Sequence, residues 1–340
     1  MAAVAAVAVV AMLSVQGCDA GTAAQAETDV HDVTISQAQS VYQTYLTSSD
    51  TAAQQGNATT GLADVADAQW EILHGQYTAL AASKIPVPRY QYGTPTFYVP
   101  GQEGYPHWFV VSVPRHQVGQ VGSEASATTL MVFGQVKAGT NWLLDGTTAL
   151  QPGQRVPAIP VDATGYATAL STRDPNLLLP PDVVGATQAA VVDDGPASVD
   201  SRLVEDSPDT TGLYATQSAA AATEHANGLN YSWQMLGAAF PVFALKLTDG
   251  GALVLYGLYL NTINEHGANP TTGNAAQGAP IPVPSDFVPL TGPPVTEAGD
   301  HAVSANWTYQ YAAIDPSGSA SNAKISVIAA TGGPSYAHAY

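Results

Sequence analysis

Residues 242–260 read VFALKLTDGGALVLYGLYL and carry the strongest local structural signal in the chain. Two apolar runs flank Asp249-Gly250-Gly251, which supplies the backbone conformations of a tight β-turn. The spacing predicts a hairpin with strands over 242–247 and 252–260. The second run is apolar at almost every position, so both of its faces should be covered. It therefore belongs near the middle of a sheet.

Strand patterns also occur on both sides of this hairpin. β-branched and aromatic runs, separated by Gly and Pro, predict strands over 90–92, 96–99, 107–113, 130–136, 142–144, 301–313 and 324–330. Residues 137–141 are short enough to connect a hairpin. Asp315-Pro316-Ser317-Gly318 has the composition of a turn.

Helical patterns precede the strands in each half. Thr34-Ile35-Ser36-Gln37 matches a capping box, and apolar residues follow it at helical spacing. A second helix is predicted over 62–73, after a polar turn at Gly56 and Asn57. Further helices are predicted over 183–192 and 213–227.

The order of elements predicts an α+β fold with two domains, 33–165 and 212–340, joined by a linker and connecting helix over 166–211. Both halves run from helices to a hairpin and then to closing strands, which suggests an internal duplication. This order resembles the NTF2-like and cystatin-like folds, and the whole is similar to uncharacterised two-domain lipoproteins of actinobacteria. The resemblance implies helices packed on a curled antiparallel sheet in each domain, and no settled activity.

The amino-terminal residues have the pattern of an export signal. The apolar run Ala2 to Leu13 is shorter than the roughly 20 residues that span a bilayer. Val15-Gln16-Gly17-Cys18 resembles the lipobox of bacterial lipoproteins. That resemblance implies removal of residues 1–17, a diacylglycerol on Cys18, and a tether over 18–32. An ordinary secretory signal and an apolar amino-terminal helix are the alternatives.

The excess of acidic over basic residues disfavours some classes of binding partner. Lys and Arg total 9 against 27 acidic residues, a net charge of -18. Nucleic acid is disfavoured because its phosphates attract cations. Anionic lipid is disfavoured as well, so the predicted membrane contact is the lipid anchor alone. The single Cys excludes an intrachain disulfide, and no motif calls for a cofactor.

Three aromatic residues alternate on one strand and form a candidate ligand face. Trp307, Tyr309 and Tyr311 should project from the same face of that strand, where a sugar or another flat ligand could stack. Trp108 and Trp142, or Tyr90 and Tyr92, offer the same reading in the first half. Burial of these rings in the core is the alternative for each set.

No catalytic or metal-binding motif is present. The sequence lacks the HExxH pattern, and it lacks a Gly-x-Ser-x-Gly elbow. We therefore predict a non-enzymatic lipoprotein on the extracytoplasmic face of the cell membrane, with a binding or scaffold role and a cell-wall or protein partner. A ligand-pocket enzyme or carbohydrate binder using the aromatic face is one alternative. An assembly accessory that docks through the loop 264–294 is another.

Overall fold

The computed structural model describes residues 32–120, 126–237, 240–267, 279–293 and 295–340. The predicted signal peptide 1–17, Cys18 and all but the last residue of the tether lie outside this part. So do residues 268–278 and 294 of the predicted loop 264–294. The described residues all belong to one compact unit. Within the described residues, no helix is both long and apolar enough to cross a bilayer.

Five α-helices and twelve strands make up the described part of the chain. The helices are α1 Ile35–Gln55, α2 Ala58–Ala63, α3 Asp67–Ser83, α4 Pro181–Asp194 and α5 Thr211–Ala226. The strands are β1 Tyr90–Tyr92, β2 Thr96–Tyr98, β3 His107–Gln117, β4 Ser126–Gln135, β5 Leu143–Leu150, β6 Leu229–Gly237, β7 Phe243–Lys246, β8 Ala252–His266, β9 Ile281–Pro282, β10 Ala298–Gly299, β11 Ala302–Asp315 and β12 Ser326–Ala339.

Ten of these strands form one antiparallel sheet, which confirms the α+β class. Its order is β1-β3-β4-β5-β12-β11-β8-β6, with β2 added to β3 and β7 added to β8. Strands β9 and β10 pair separately. The sequence predicted a sheet in each half, and the structure instead joins the strands of both halves into one.

The predicted hairpin is formed by β7 and β8. The Leu247 amide donates to the Gly251 carbonyl at 2.9 Å, and Asp249 Oδ1 accepts from the Gly251 amide at 3.0 Å. Gly250 has φ +87°, a conformation that glycine adopts at little cost. As predicted, β8 lies inside the sheet and is buried through most of its first nine residues. The reason is that both of its faces are covered.

Helix α1 begins and ends where the sequence predicted. The Thr34 hydroxyl accepts from the Gln37 amide at 3.1 Å, and the helix stops at Gly56, which has φ +60°. The helix predicted over 62–73 is instead divided between α2 and α3. The break occurs because the backbone of residues 64–66 bonds to the edge of β5, through Leu144 N to Asp64 O at 2.9 Å and Ala66 N to Leu144 O at 3.0 Å.

The two faces of strand β8 pack in two different hydrophobic clusters. Val254 packs with Val184 and Val192 of α4 on one face. On the other face Leu255 belongs to a cluster that includes Phe243 and Trp108. The rings of Phe243 and Trp108 lie 5.2 Å apart, although one comes from each half of the chain. The core is therefore continuous across the predicted domain boundary.

The two halves meet where β5 pairs with β12. Only two residue pairs join these strands, Ala149 with Ala330 and Leu150 with Ala329. Beyond them α3 packs against β5, β12 and β11. A Cβ at Gly75 of α3 would collide with the carbonyl oxygen of Pro334, so glycine permits this close approach. We describe α3 as a wedge between the diverging strands.

The predicted linker over 166–211 contributes to the core rather than spanning open solvent. Tyr166, Ala167 and Leu177 are all buried. Leu170 N donates to Ala244 O at 2.9 Å, which ties this segment to the hairpin strand β7. Its proline-rich composition suggested a connector. The apolar residues between the prolines nevertheless fill the space beside the sheet.

Candidate functional site

The cavity beside the wedge helix is the leading candidate site. It measures about 470 Å³ and lies between α1, α3, β1, β3 and the glycine-containing part of β12. We call it the tyrosine–arginine cavity. Four tyrosines and one arginine define it: Tyr45, Tyr77, Tyr90, Tyr92 and Arg115. Its volume falls in the range of sites that bind small molecules.

The segment that closes one side of this cavity is fixed at both ends. Helix α3 stops at Lys84, which takes the left-handed conformation with φ +54°. Val87 and Pro88 then line the cavity. Arg89 anchors the segment to α1 through two bonds to Asp50, Nε to Oδ1 at 2.7 Å and an amino nitrogen to Oδ2 at 2.9 Å. The wall is thereby held against the helix.

Arg115 is the main electrostatic feature of the cavity. It lies on β3 opposite Tyr92, and its Cζ is 4.4 Å from the centre of the Tyr90 ring. That position allows a cation–π contact. Within the described residues the side-chain ion pairs are Arg89 with Asp50 and Arg173 with Asp182. Arg115 is half-buried, and no carboxylate of the described residues lies within 4 Å of its guanidinium.

Three of the cavity tyrosines stay protonated at neutral pH. Burial raises the pKa of Tyr45, Tyr77 and Tyr92, and the Arg115 charge offsets part of that increase at Tyr92. Tyr77 lies directly against Gly61, where a Cβ would collide with its ring. Neutral hydroxyl groups can donate or accept hydrogen bonds. The walls thus combine aromatic surface with polar groups around one cation.

A smaller cavity lies at the amino-terminal end of α3. It measures about 30 Å³, room for roughly a single water molecule, and is lined by Asp67, Asp145 and Gln310 among others. Asp145 is the extra residue of a β-bulge, because Val132 pairs with Gly146 while Phe133 pairs with Leu144. The side chain of Asp145 lies against Gly134.

Burial, followed by the nearby Asp67 carboxylate, raises the pKa of Asp145 to about 7. Asp67 begins α3 with φ +49°, a conformation that is uncommon outside glycine. Gln310 joins this cavity to β5, since its Oε1 accepts from the Thr147 amide at 2.8 Å. The described residues contain no group of three or more His, Cys, Asp or Glu side chains placed to hold a metal ion.

One protein-family model, described as Domain of unknown function (DUF8094), matches residues 30–333. The chain belongs to the DUF8094 family. The match runs from before α1 into β12, so this DUF8094 region includes both halves of the sheet, the smaller cavity and every residue that lines the larger cavity except Pro334. No curated protein matches the chain, and no solved structure does.

In the DUF8094 fold the predicted ligand face on β11 is part of the core. Trp307, Tyr309 and Tyr311 stack along one face, with ring centres 6.3 and 5.8 Å apart. Tyr311 is only 1% exposed, and Trp307 packs edge-on to Phe287 at 5.0 Å. Tyr311 belongs to the same hydrophobic cluster as Val184 and Val192 of α4, and Trp307 and Tyr309, which are half-buried, pack against that cluster. Tyr311 therefore offers no open surface to a flat ligand.

The other aromatic residues that the sequence suggested as ligand-binding lie in different parts of the structure. Trp108 is buried beside Phe243, and half-buried Trp142 packs on Phe109 at 5.2 Å. The structure does not bring either one to the β11 rings. Tyr90 and Tyr92, which the sequence suggested as an aromatic pair, do line a cavity. Sequence reasoning missed Arg115, although a lone cation following the apolar run of β3 was a visible signal.

Proposed function

We propose that this DUF8094 protein is a non-enzymatic binding protein of the bacterial cell envelope that holds a small molecule in the tyrosine–arginine cavity. One observation carries the proposal: four tyrosines surround a half-buried arginine that has no carboxylate within 4 Å among the described residues. An aromatic cavity with a few polar groups is the usual form of a ligand site.

The proposed location at the cell envelope depends on Cys18. The lipobox-like sequence ends at this residue, and the family match begins later, at residue 30. A leader and tether ahead of a folded binding region fit that arrangement. Two acyl chains would suffice for stable anchoring. The membrane is thus the proposed partner through lipid, with a cell-wall or protein partner as a further proposal.

Replacing Cys18 tests the proposed lipid anchor. In an actinobacterial host we expect labelled palmitate to be incorporated into the wild-type protein and not into Cys18→Ala, because the variant cannot accept a lipid. Globomycin should retard the electrophoretic migration of the wild type by blocking removal of the leader, and it should leave the variant unchanged. Wild-type protein with a free thiol, or with the same migration in both conditions, would refute the lipid anchor.

We also infer that the two halves arose from one duplicated NTF2-like or cystatin-like unit. Read from either end of the sheet, the strands correspond in chain order: β1, β3, β4 and β5 against β6, β8, β11 and β12. The short strands agree too, since β2 pairs with β3 and β7 pairs with β8. The second half fills its interior with Tyr256, Tyr309 and Tyr311, whereas the first half retains a cavity.

A neutral apolar dye tests whether the cavity binds ligands. We expect N-phenylnaphthylamine to bind saturably, with a rise in fluorescence, and Ala79→Trp to weaken that binding by about tenfold or more, roughly 1.4 kcal/mol. Ala79 lines the cavity, so the added indole would occupy it. Ala82→Trp is the matched control, because Ala82 is exposed on the same helix. Absent binding, or equal binding by both variants, would reject the site.

A further inference from the structure

Charge is distributed unevenly around the tyrosine–arginine cavity. Of the described residues that line it, Arg115 is the one cation and Asp286 the one acid. Asp286 is exposed, and its Oδ1 accepts a bond from Ser285 Oγ at 3.2 Å. It forms no ion pair with Arg115 within 4 Å. The guanidinium thus remains unbalanced at a half-buried position.

An unbalanced arginine is notable in this chain. Acidic residues outnumber Lys and Arg by 27 to 9, so carboxylates were plentiful as partners. Removing a guanidinium from water without a counter-charge is unfavourable. The Tyr90 ring face compensates for only part of that loss. A bound anion would supply the rest.

We infer that the ligand is an amphipathic monocarboxylate whose carboxylate binds Arg115 and whose apolar, ring-sized body packs among the tyrosines. This inference rests on the proposed binding function. The planar guanidinium matches a carboxylate with two parallel hydrogen bonds. Tyr92 lies directly opposite Arg115 in the strand pair, and its side-chain hydroxyl interacts with the Arg115 guanidinium.

The same charges argue against a multiply charged ligand. One arginine neutralises one negative charge, and a net charge of -18 on the protein repels any that remain. A phosphate monoester would bring close to two charges at neutral pH. A monocarboxylate leaves none unpaired.

Part of the remaining wall suits an apolar body. Ile72, Leu73 and Met131 line the cavity together with the tyrosine rings. Aromatic rings pack favourably in offset or edge-on arrangements. A ligand with a charged end and a ring at the other therefore meets a complementary surface at both ends.

Naphthoate and its neutral amide, naphthamide, test the inference by isothermal titration calorimetry. We expect the wild type to bind naphthoate about tenfold or more tightly than naphthamide, and Arg115→Met to abolish the preference. Arg115→Lys should retain part of it, since the charge stays while the planar fork is lost. Asp286→Asn should keep the preference or strengthen it.

Other outcomes separate this inference from the proposed function. Equal affinity of the wild type for naphthoate and naphthamide would overturn the monocarboxylate, and so would a preference that survives Arg115→Met. Weaker binding of naphthoate to Asp286→Asn than to the wild type would contradict the expected effect of removing a nearby negative charge, and it would also overturn the inference. Saturable dye binding in Arg115→Met shows that this variant is folded and that the cavity binds ligands. Failure of dye binding in the wild type would instead reject the proposed function.

Discussion

The folded protein is expected to lose stability as the pH rises from about 5 to about 8, and the double variant Asp145→Asn/Asp315→Asn should lose far less. Both carboxyl groups have a pKa near 7 in the folded protein, raised from the usual 3.8. Burial is the main cause at each site. The Asp67 carboxylate adds to it at Asp145, and backbone amides oppose it at Asp315.

The direction follows from proton binding. Between about pH 4 and pH 7 the folded state holds protons that the unfolded chain has released, so stability falls with rising pH in this interval. The contribution is complete below the unfolded pKa of 3.8 and disappears as the pH passes through about 7. One pKa unit corresponds to about 1.4 kcal/mol. Because Asp145 is only partly buried, we expect a combined loss of a few kcal/mol.

The two sites differ in their surroundings. Asp315 is fully buried, and its Oδ2 has no hydrogen-bond partner among the described residues. Its Oδ1 accepts from Leu179 N at 3.4 Å. Protonation is therefore the state that this position favours. The amide of asparagine resembles the neutral carboxyl group in shape, so Asp315→Asn should be tolerated.

Urea denaturation at about pH 5, 6.5 and 8 measures the effect. The single variants should each remove part of the pH dependence. Asp300→Asn is the control, because it removes the same charge from an exposed position. A wild-type stability that is constant over this interval, or an equal loss in Asp300→Asn and the double variant, would contradict the expectation.

Local patterns predicted the features that depend on neighbours in the sequence. The hairpin around Gly250 and the helix start at Thr34 are both confirmed because a few adjacent residues determine them. Strand β6, residues Leu229–Gly237, was not predicted. It lies at the edge of the sheet and alternates apolar with polar side chains, so a strand pattern was present there.

The tyrosine–arginine cavity could not be predicted as a site. Its walls come from α1, α3, β1, β3 and β12, and no local pattern specifies how these elements approach one another. Tyr90 and Tyr92 were recognised as aromatic residues that could face a ligand. Their relation to Arg115 depends on the pairing of β1 with β3, which is a tertiary feature.

The joining of the two halves into one sheet could not be predicted from the sequence either. Few backbone pairs connect β5 to β12, and side chains make much of the contact between the halves. Gln310 of β11 is 4% exposed, and its Oε1 accepts from the Thr147 amide of β5 at 2.8 Å. Its Nε2 donates to the Asp145 carbonyl at 3.4 Å. Thr331 Oγ1 accepts from the Ala149 amide at 3.0 Å. The alternation in β11 marked Gln310 as polar and gave no partner.

Gln310→Leu is therefore expected to lower the free energy of unfolding by about 2–5 kcal/mol, because each buried group left without a partner costs about 1–3 kcal/mol. The variant would strip the Thr147 amide and the Asp145 carbonyl of their bonds, and amide exchange at Thr147 should accelerate. Gln91→Leu makes the same change at an exposed position of β1 and should alter stability by less than about 0.5 kcal/mol. Similar, small effects in both variants would contradict this expectation. The contact between β5 and β11 would then not depend on the side chain of Gln310.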